Sequence, residues 1–254
     1  MLTRSAVALV LTTAVRVDVL AAQEVLPSTT PTPPAWKASI DFGFNFASGN
    51  SSFAALSSGI HIARMPTAAS EFEWSAGVEY GRNNGVVVEK RIITSIKYDH
   101  LPKHRVSPFI FGTAEQDEAR KIDLQAFGGA GLKVSLWQSP AGKAAVSGAV
   151  VYNYETFTTP QLVVAPSERT TRWSVRFKGA RKFGPALELE NTTFYQPVFQ
   201  SVADYNLSAA SSVTSKATSH LSIFVRHLYR RDSTPRADVK PVDQRVTAGL
   251  RVSF

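Results

Sequence analysis

The feature that most constrains this chain is two-residue alternation, seen most clearly in its last segment. From Val242 onward, Val246, Ala248, Leu250, Val252 and Phe254 fall on one face. Asp243, Arg245, Thr247, Gly249, Arg251 and Ser253 fall on the other. Strand side chains point to opposite faces in turn, so this segment predicts a strand with one apolar and one polar side. A terminal strand frays unless both its edges are paired. A closed barrel supplies both partners by joining the last strand to the first. The fold expected is all-β: an antiparallel up-and-down transmembrane β-barrel of a bacterial outer membrane.

The same pattern recurs along the chain. Trp36, Ala38, Ile40, Phe42, Phe44 and Phe46 oppose Lys37, Ser39, Asp41, Gly43 and Asn45. A third strand sets Phe72, Trp74, Ala76, Val78 and Tyr80 against Glu71, Glu73, Ser75, Gly77 and Glu79. An eighth sets Trp173, Val175 and Phe177 against Arg172, Ser174, Arg176 and Lys178. Turn signals punctuate these runs at Ser48-Gly49-Asn50, Arg82-Asn83-Asn84-Gly85, Ser139-Pro140-Ala141-Gly142 and Phe183-Gly184-Pro185. Twelve strands result. An even number returns both termini to one side, as in single-chain bacterial barrels. Connections after the second, sixth, eighth and tenth strands read as short. Those after the seventh, ninth (residues 196–202) and eleventh (residues 230–242) read as long external loops, and residues 115–121 read as a charged loop.

Composition agrees with a membrane signal hidden by alternation. Mean hydropathy is −0.07, and no apolar run reaches the roughly 20 residues of a membrane-spanning helix. With no cysteine there is no disulfide framework and no thiolate chemistry. The net charge of +8 is dispersed, without the motif of a nucleic-acid-binding module, so no nucleic-acid partner is expected. Residues 1–22 read as a secretory signal: Arg4 precedes an apolar core from Ser5 to Val15, and Ala21 and Ala22 offer small residues for cleavage. Arg16 and Asp18 are atypical there. Residues 23–35 carry Pro27, Pro31, Pro33 and Pro34 and read as an extended periplasmic linker. The barrel is assigned to residues 36–254.

The polar face mixes signs. Glu71, Glu73 and Glu79, Arg172, Arg176 and Lys178, Glu188 and Glu190, and Arg245 and Arg251 all take lumen-facing parity. Folding the chain about Phe183-Gly184 sets Lys178 opposite or diagonal to Glu188 and Glu190, and opposite charges across strands attract. Two readings stay open: a charge network that fills the barrel, or a narrow selective channel. Trp36, Tyr80, Tyr98, Trp137, Tyr195, Tyr229 and Phe254 are placed as interfacial aromatic girdles. The expected partners are outer-membrane lipid, lipopolysaccharide, and the barrel-assembly machinery, which would engage the strand ending in Phe254. Basic residues assigned to external loops include Arg230 and Arg231, candidates for lipopolysaccharide phosphates because guanidinium groups clamp them in bidentate fashion. His100 and His104 have a metal-like spacing, but Pro102 interrupts it. No catalytic residue, metal or cofactor is expected. The alternatives are a soluble periplasmic β-barrel that binds a ligand and, behind it, a barrel hydrolase.

Four pieces stand in a telling order: Phe44-Asn45-Phe46-Ala47-Ser48-Gly49-Asn50-Ser51; Phe109-Ile110-Phe111-Gly112 with the charged stretch Glu115 to Arg120; Gly128-Gly129-Ala130-Gly131-Leu132; and the ending from Arg226-His227 through Val252-Ser253-Phe254. In these the chain resembles the family catalogued as domain of unknown function 481, the salt-induced outer-membrane proteins. The resemblance implies an outer-membrane barrel and a link to salt or envelope stress. It implies no catalytic residue.

Overall fold

The computed structural model describes residues 36–48, 53–64, 67, 69–83, 86–118, 120–157, 167–235 and 239–254. The signal and linker segments, residues 1–22 and 23–35, lie outside the described residues, as do the turn residues 49–50 and 84–85. Twelve strands follow in order: β1 Trp36–Ser48, β2 Phe53–Arg64, β3 Ser70–Asn83, β4 Val86–His100, β5 Val106–Asp117, β6 Ile122–Ser139, β7 Gly142–Phe157, β8 Ser167–Phe183, β9 Leu187–Val198, β10 Ser201–Lys216, β11 Leu221–Asp232 and β12 Val242–Ser253. Each pairs antiparallel with its sequence neighbours, and β1 pairs with β12, so the sheet is a closed barrel. Closure runs from Ser39 opposite Ser253 to Ser48 opposite Gln244. Beyond it, the Phe254 amide donates to the Ala38 carbonyl at 2.9 Å.

The alternation sorts side chains inside out relative to a soluble fold. Ile92 is 45% exposed, whereas its neighbour Arg91 is 1% exposed. Phe42, Val78, Ile96, Val150 and Val175 face outward in the same way, while Asp41, Glu79, Lys97 and Arg176 are buried. Large apolar side chains normally go inside and charged ones outside. A continuous apolar outer band around a charged interior is the arrangement that hydrocarbon solvent selects. Trp36, Tyr98, Trp137, Tyr195 and Phe254 are exposed near strand ends, as the girdle reading expects, and Tyr80 and Tyr229 are half-buried.

Three connections differ from expectation. Residues 196–202 do not form a long loop, because β9 and β10 extend until only Phe199 and Gln200 turn the chain. Pro197 cannot donate to a ladder, and the β9–β10 register slips beside it, between Ser201 and Tyr205. Phe199 then stacks on Trp173, with ring centroids 4.1 Å apart. The loop assigned to residues 230–242 is shorter, since β11 runs to Asp232. Glu115 and Asp117 belong to β5, not to a loop.

Candidate functional site in the lumen

Backbone register brings three phenylalanines face to face with glycines on the lumen side: Phe109 opposite Gly131, Phe111 opposite Gly129, and Phe224 opposite Gly249. The pairing is steric. A Cβ on Gly129 would lie 2.4 Å from the Val150 carbonyl oxygen and 3.0 Å from Phe111 Cζ. One on Gly249 would lie 2.2 Å from the Phe42 carbonyl oxygen and 2.8 Å from Phe224 Cζ. Phe111 and Phe224 thus lie over glycines that leave them room, whereas a Cβ on Gly131 would first meet the Gly148 carbonyl oxygen at 2.2 Å and Ala149. Phe109, Phe111 and Phe194 pack with Ala149 and Val151 into a buried apolar cluster, and Phe127 lies against it. Arg176 places its guanidinium 5.6 Å from the Phe109 centroid and 5.9 Å from that of Phe194. Arg226 and Arg251 approach Phe224 at 5.7 and 5.5 Å. Such stacks satisfy a cation where water is scarce.

Toward the loop end lies an all-arginine charge network. Arg91 Nε donates to Glu115 Oε1 at 2.8 Å; Nη1 reaches Glu79 at 3.5 Å, and Asp117 Oδ2 lies 3.6 Å from Nε. Arg245 links Glu79 to Glu89, contacting the latter at 3.2 Å. Arg230 and Arg120 approach Glu115 at 3.4 and 3.8 Å. Four guanidiniums thereby meet four carboxylates. Planar forks suit this task better than ammonium groups do. In the connection between β5 and β6, burial would lower the Arg120 guanidinium, but Glu115 and Asp117 outweigh it and hold that group above its ordinary value.

A second cluster lies toward the end that carries both barrel termini. Lys97 bonds Asp99 closely, and Lys133 Nζ is 3.8 Å from the same carboxylate. Glu73 is opposite Lys97 in the register, whereas Glu71 is opposite Asp99. At the closure, Arg251 clamps Asp41 through Nε at 2.7 Å and Nη2 at 2.8 Å. At the opposite end, beside the β9–β10 turn, Arg172 donates to Asp204 at 3.1 Å, and between the two ends Arg176 Nε donates to Ser147 at 3.0 Å.

Most residues named from parity therefore do point inward, but not always to the partners foreseen. The turn Gly184-Pro185-Ala186, with Gly184 at φ +69°, pairs Phe183 with Leu187. That sets Glu188 opposite Lys182 and Glu190 opposite Ala180, leaving Lys178 diagonal to Glu190 only. Arg230 and Arg231 lie in β11, not in an external loop, and Arg230 is turned into the lumen network. That removes Arg230 from the candidates for lipopolysaccharide phosphate; Arg231 remains exposed. His100 and His104 are both exposed at the terminal end. Sequence reasoning missed the phenylalanine–glycine pairs and the centre of the arginine network. Phe109-Ile110-Phe111, apolar on both faces, and Gly129-x-Gly131 at period two were the available signals.

Cavities open at both ends. One of about 120 Å³ lies among Glu115, Arg120, Gln196, Asn206 and Arg230 at the loop end. One of about 330 Å³ at the terminal end is lined by Lys37, His61, Glu71, Glu188, Glu190 and Lys216, among others. Between these levels the lumen-facing Phe109, Phe111, Arg91 and Arg176 are buried.

A closed twelve-stranded antiparallel barrel with an apolar outside and a charged inside has the fold of outer-membrane porins and autotransporter translocators. The chain is similar in structure to the NanC porin, with a TM-score of 0.54 at 8% identity, covering 84% of this chain and 98% of that one. It is similar also to the translocator domain of the autotransporter NalP from Neisseria meningitidis, with a TM-score of 0.54 at 11% identity, covering 88% of this chain and 90% of that one. No curated protein matches the sequence. The chain belongs to the family described as protein of unknown function, DUF481, whose model matches residues 40–254.

Proposed function

We propose that this protein is a bacterial outer-membrane barrel whose lumen is closed by its own side chains, and that it serves the envelope as a structural element and not as an open solute pore. The observation that carries this reading is the burial of Arg91, 1% exposed inside the lumen and held by three carboxylates. An open aqueous channel would hydrate such a group. The aromatic cluster on Gly129 and Gly131 adds a second, apolar obstruction. A solute would have to separate these ion pairs and displace the rings. The likeness to the NanC porin supports the membrane setting through the fold; no transported solute is carried over.

Planar-bilayer recording on the refolded full chain tests the proposal. Wild type is expected to show no steady open-pore conductance. The Phe109→Ala, Phe111→Ala, Phe194→Ala triple variant is expected to admit ions intermittently while keeping heat-modifiable gel mobility. A steady, porin-sized conductance from the wild type would overturn the closed-lumen reading. Recovery of the exported chain as a freely dissolved periplasmic species would overturn the membrane reading.

A further inference from the structure

The outer face is not filled evenly. On β5 and β6 the outward positions Gly112, Ala114, Ala126 and Gly128 carry one methyl group at most, and they are neighbours: Gly112 is opposite Gly128 and Ala114 opposite Ala126. Large rings flank them. Tyr152 and Tyr154 of β7 stand opposite Gly128 and Ala126, and Trp74 of β3 rises beyond β4. Between these rings lies a groove of about 600 Å³, a size ordinary for a ligand cleft. The fold does not demand the hollow. A Cβ on Gly112 would meet only ordinary contacts at 3.7 and 3.9 Å, whereas one on Gly129, on the lumen side, would strike a backbone oxygen at 2.4 Å. On the tryptophan wall the polar groups are satisfied locally: Trp74 Nε1 donates to Thr94 Oγ1, and Thr94 Oγ1 to the Ser75 carbonyl, each at 3.2 Å. Exposed Ile92, Ile110 and Val150 border the groove, so it is continuous with the apolar outer band.

Tyr154 joins this groove to a charge. The exposed Arg169 of β8, opposite Tyr154, places its guanidinium 5.7 Å from that ring's centroid. The other charges on this rim offset one another: Lys90 pairs with Glu118 at 3.4 Å, and exposed Lys121 and Asp123 stand two residues apart. Glu168 takes the opposite parity, facing Glu155 across the ladder. We propose that the groove seats an acyl chain of one lipid A molecule, with a lipid A phosphate at Arg169. The inference rests on the membrane reading above. An apolar hollow at membrane depth is filled by hydrocarbon, since water there finds no hydrogen-bond partners. Each leaflet offers chains, and position chooses between them. Gly112 and Ala114 lie in the half of β5 that runs to the loop end, which faces outward when both termini are periplasmic. Lipid A is the lipid of that leaflet, and a guanidinium clamps its phosphate in bidentate fashion. A second copy of the barrel fits less well, because a convex apolar face bridges the flanking rings without reaching the floor.

Native mass spectrometry of the full chain, refolded in detergent micelles and offered lipid A, tests the assignment. Saturable retention of one lipid A per chain is expected. Phosphatidylethanolamine, which is zwitterionic, is expected to be held about threefold more weakly, and Arg169→Gln to weaken lipid A retention by the same factor, the scale of an exposed charge contact. Ala114→Leu combined with Ala126→Leu fills the floor and is expected to weaken retention about tenfold, the factor that corresponds to roughly two methylenes of lost contact. Ala130→Leu, outward on the same strand but beyond the groove, is expected to retain lipid A as wild type does. Heat-modifiable mobility verifies that each variant is folded. Should the double leucine variant not fold, Tyr152→Ala, which removes one wall, must show the weakening. No saturable retention, equal retention of both lipids, a filled groove that holds lipid A as wild type does, or an equal loss in Ala130→Leu would each overturn the proposal. So would a lipid-free dimer that the filled groove abolishes, which would assign the groove to a second copy. Conductance does not enter this readout, so its failure and that of the closed-lumen reading are separable. A chain recovered freely dissolved, without micelles, would instead remove the membrane reading itself.

Discussion

Replacing Arg91 by methionine probes the lumen most directly. The substitution keeps an unbranched side chain of similar length but removes the guanidinium from between Glu115, Glu79 and Asp117, at 2.8, 3.5 and 3.6 Å. Breaking a buried ion pair by deleting one partner typically costs about 3–5 kcal/mol, because the other charge is stranded. Here the stranded charges keep partners: Glu115 retains Arg230 and Arg120, and Glu79 retains Arg245. The lower end applies, about 3 kcal/mol, or roughly a hundredfold in the folding equilibrium. The loss would be read from urea titrations in lipid vesicles, followed by tryptophan fluorescence and gel mobility. The network goes from four bases against four acids to three against four. Asp117→Asn should therefore restore balance and recover part of the loss when combined with Arg91→Met, a non-additivity expected of groups in one network. Arg181→Met, at an exposed residue stacked on Phe183, is the control, expected to change stability by under about 0.5 kcal/mol. An Arg91→Met protein within about 0.5 kcal/mol of wild type, or a double variant no more stable than the single, would refute the claim that this network closes the lumen.

Two further substitutions separate outside from inside. Val150 is 43% exposed on the outer face of β7. Val150→Arg should destabilise the barrel by about 2–4 kcal/mol in lipid vesicles if hydrocarbon covers that face, whereas an exposed valine of a water-soluble fold would tolerate it within about 0.5 kcal/mol. The glycines of β6 and β5 make the second contrast. Gly112→Ala should be near neutral, because its Cβ would find only ordinary contacts at 3.7 and 3.9 Å, whereas Gly129→Ala meets a backbone oxygen at 2.4 Å and should lower the yield of folded protein on gels.

The outer face of this barrel was legible from sequence because hydrocarbon asks only one thing of it. Every second residue of 36–46, 72–80 and 173–177 is apolar, and period two displays that directly. Closure of β12 on β1 followed from the same pattern. What failed was whatever depended on turn length. The three-residue turn Gly184-Pro185-Ala186 sets Lys178 opposite Thr192, so that of Glu188 and Glu190 only Glu190 is its diagonal neighbour. Strand ends at Glu115, Asp117 and Arg230 were read as loops because charge clusters usually mark solvent, and inside a barrel the same clusters mark the lumen.

The interior poses a different problem, because its contacts cross the barrel and not only the ladder. Arg245 of β12 reaches Glu79 of β3 and Glu89 of β4; Arg230 of β11 reaches Glu115 of β5. None of these pairs comes from adjacent strands, so no hairpin register predicts them; they depend on how far the closed sheet is sheared. The phenylalanine–glycine pairs are the exception that shows what sequence could have offered. Phe109 and Phe111 face Gly131 and Gly129 across one hairpin, so two rings and two glycines at matching period two already encode an apolar layer in the lumen. That layer is written within one hairpin of the chain, as the ion pairs that cross the barrel are not.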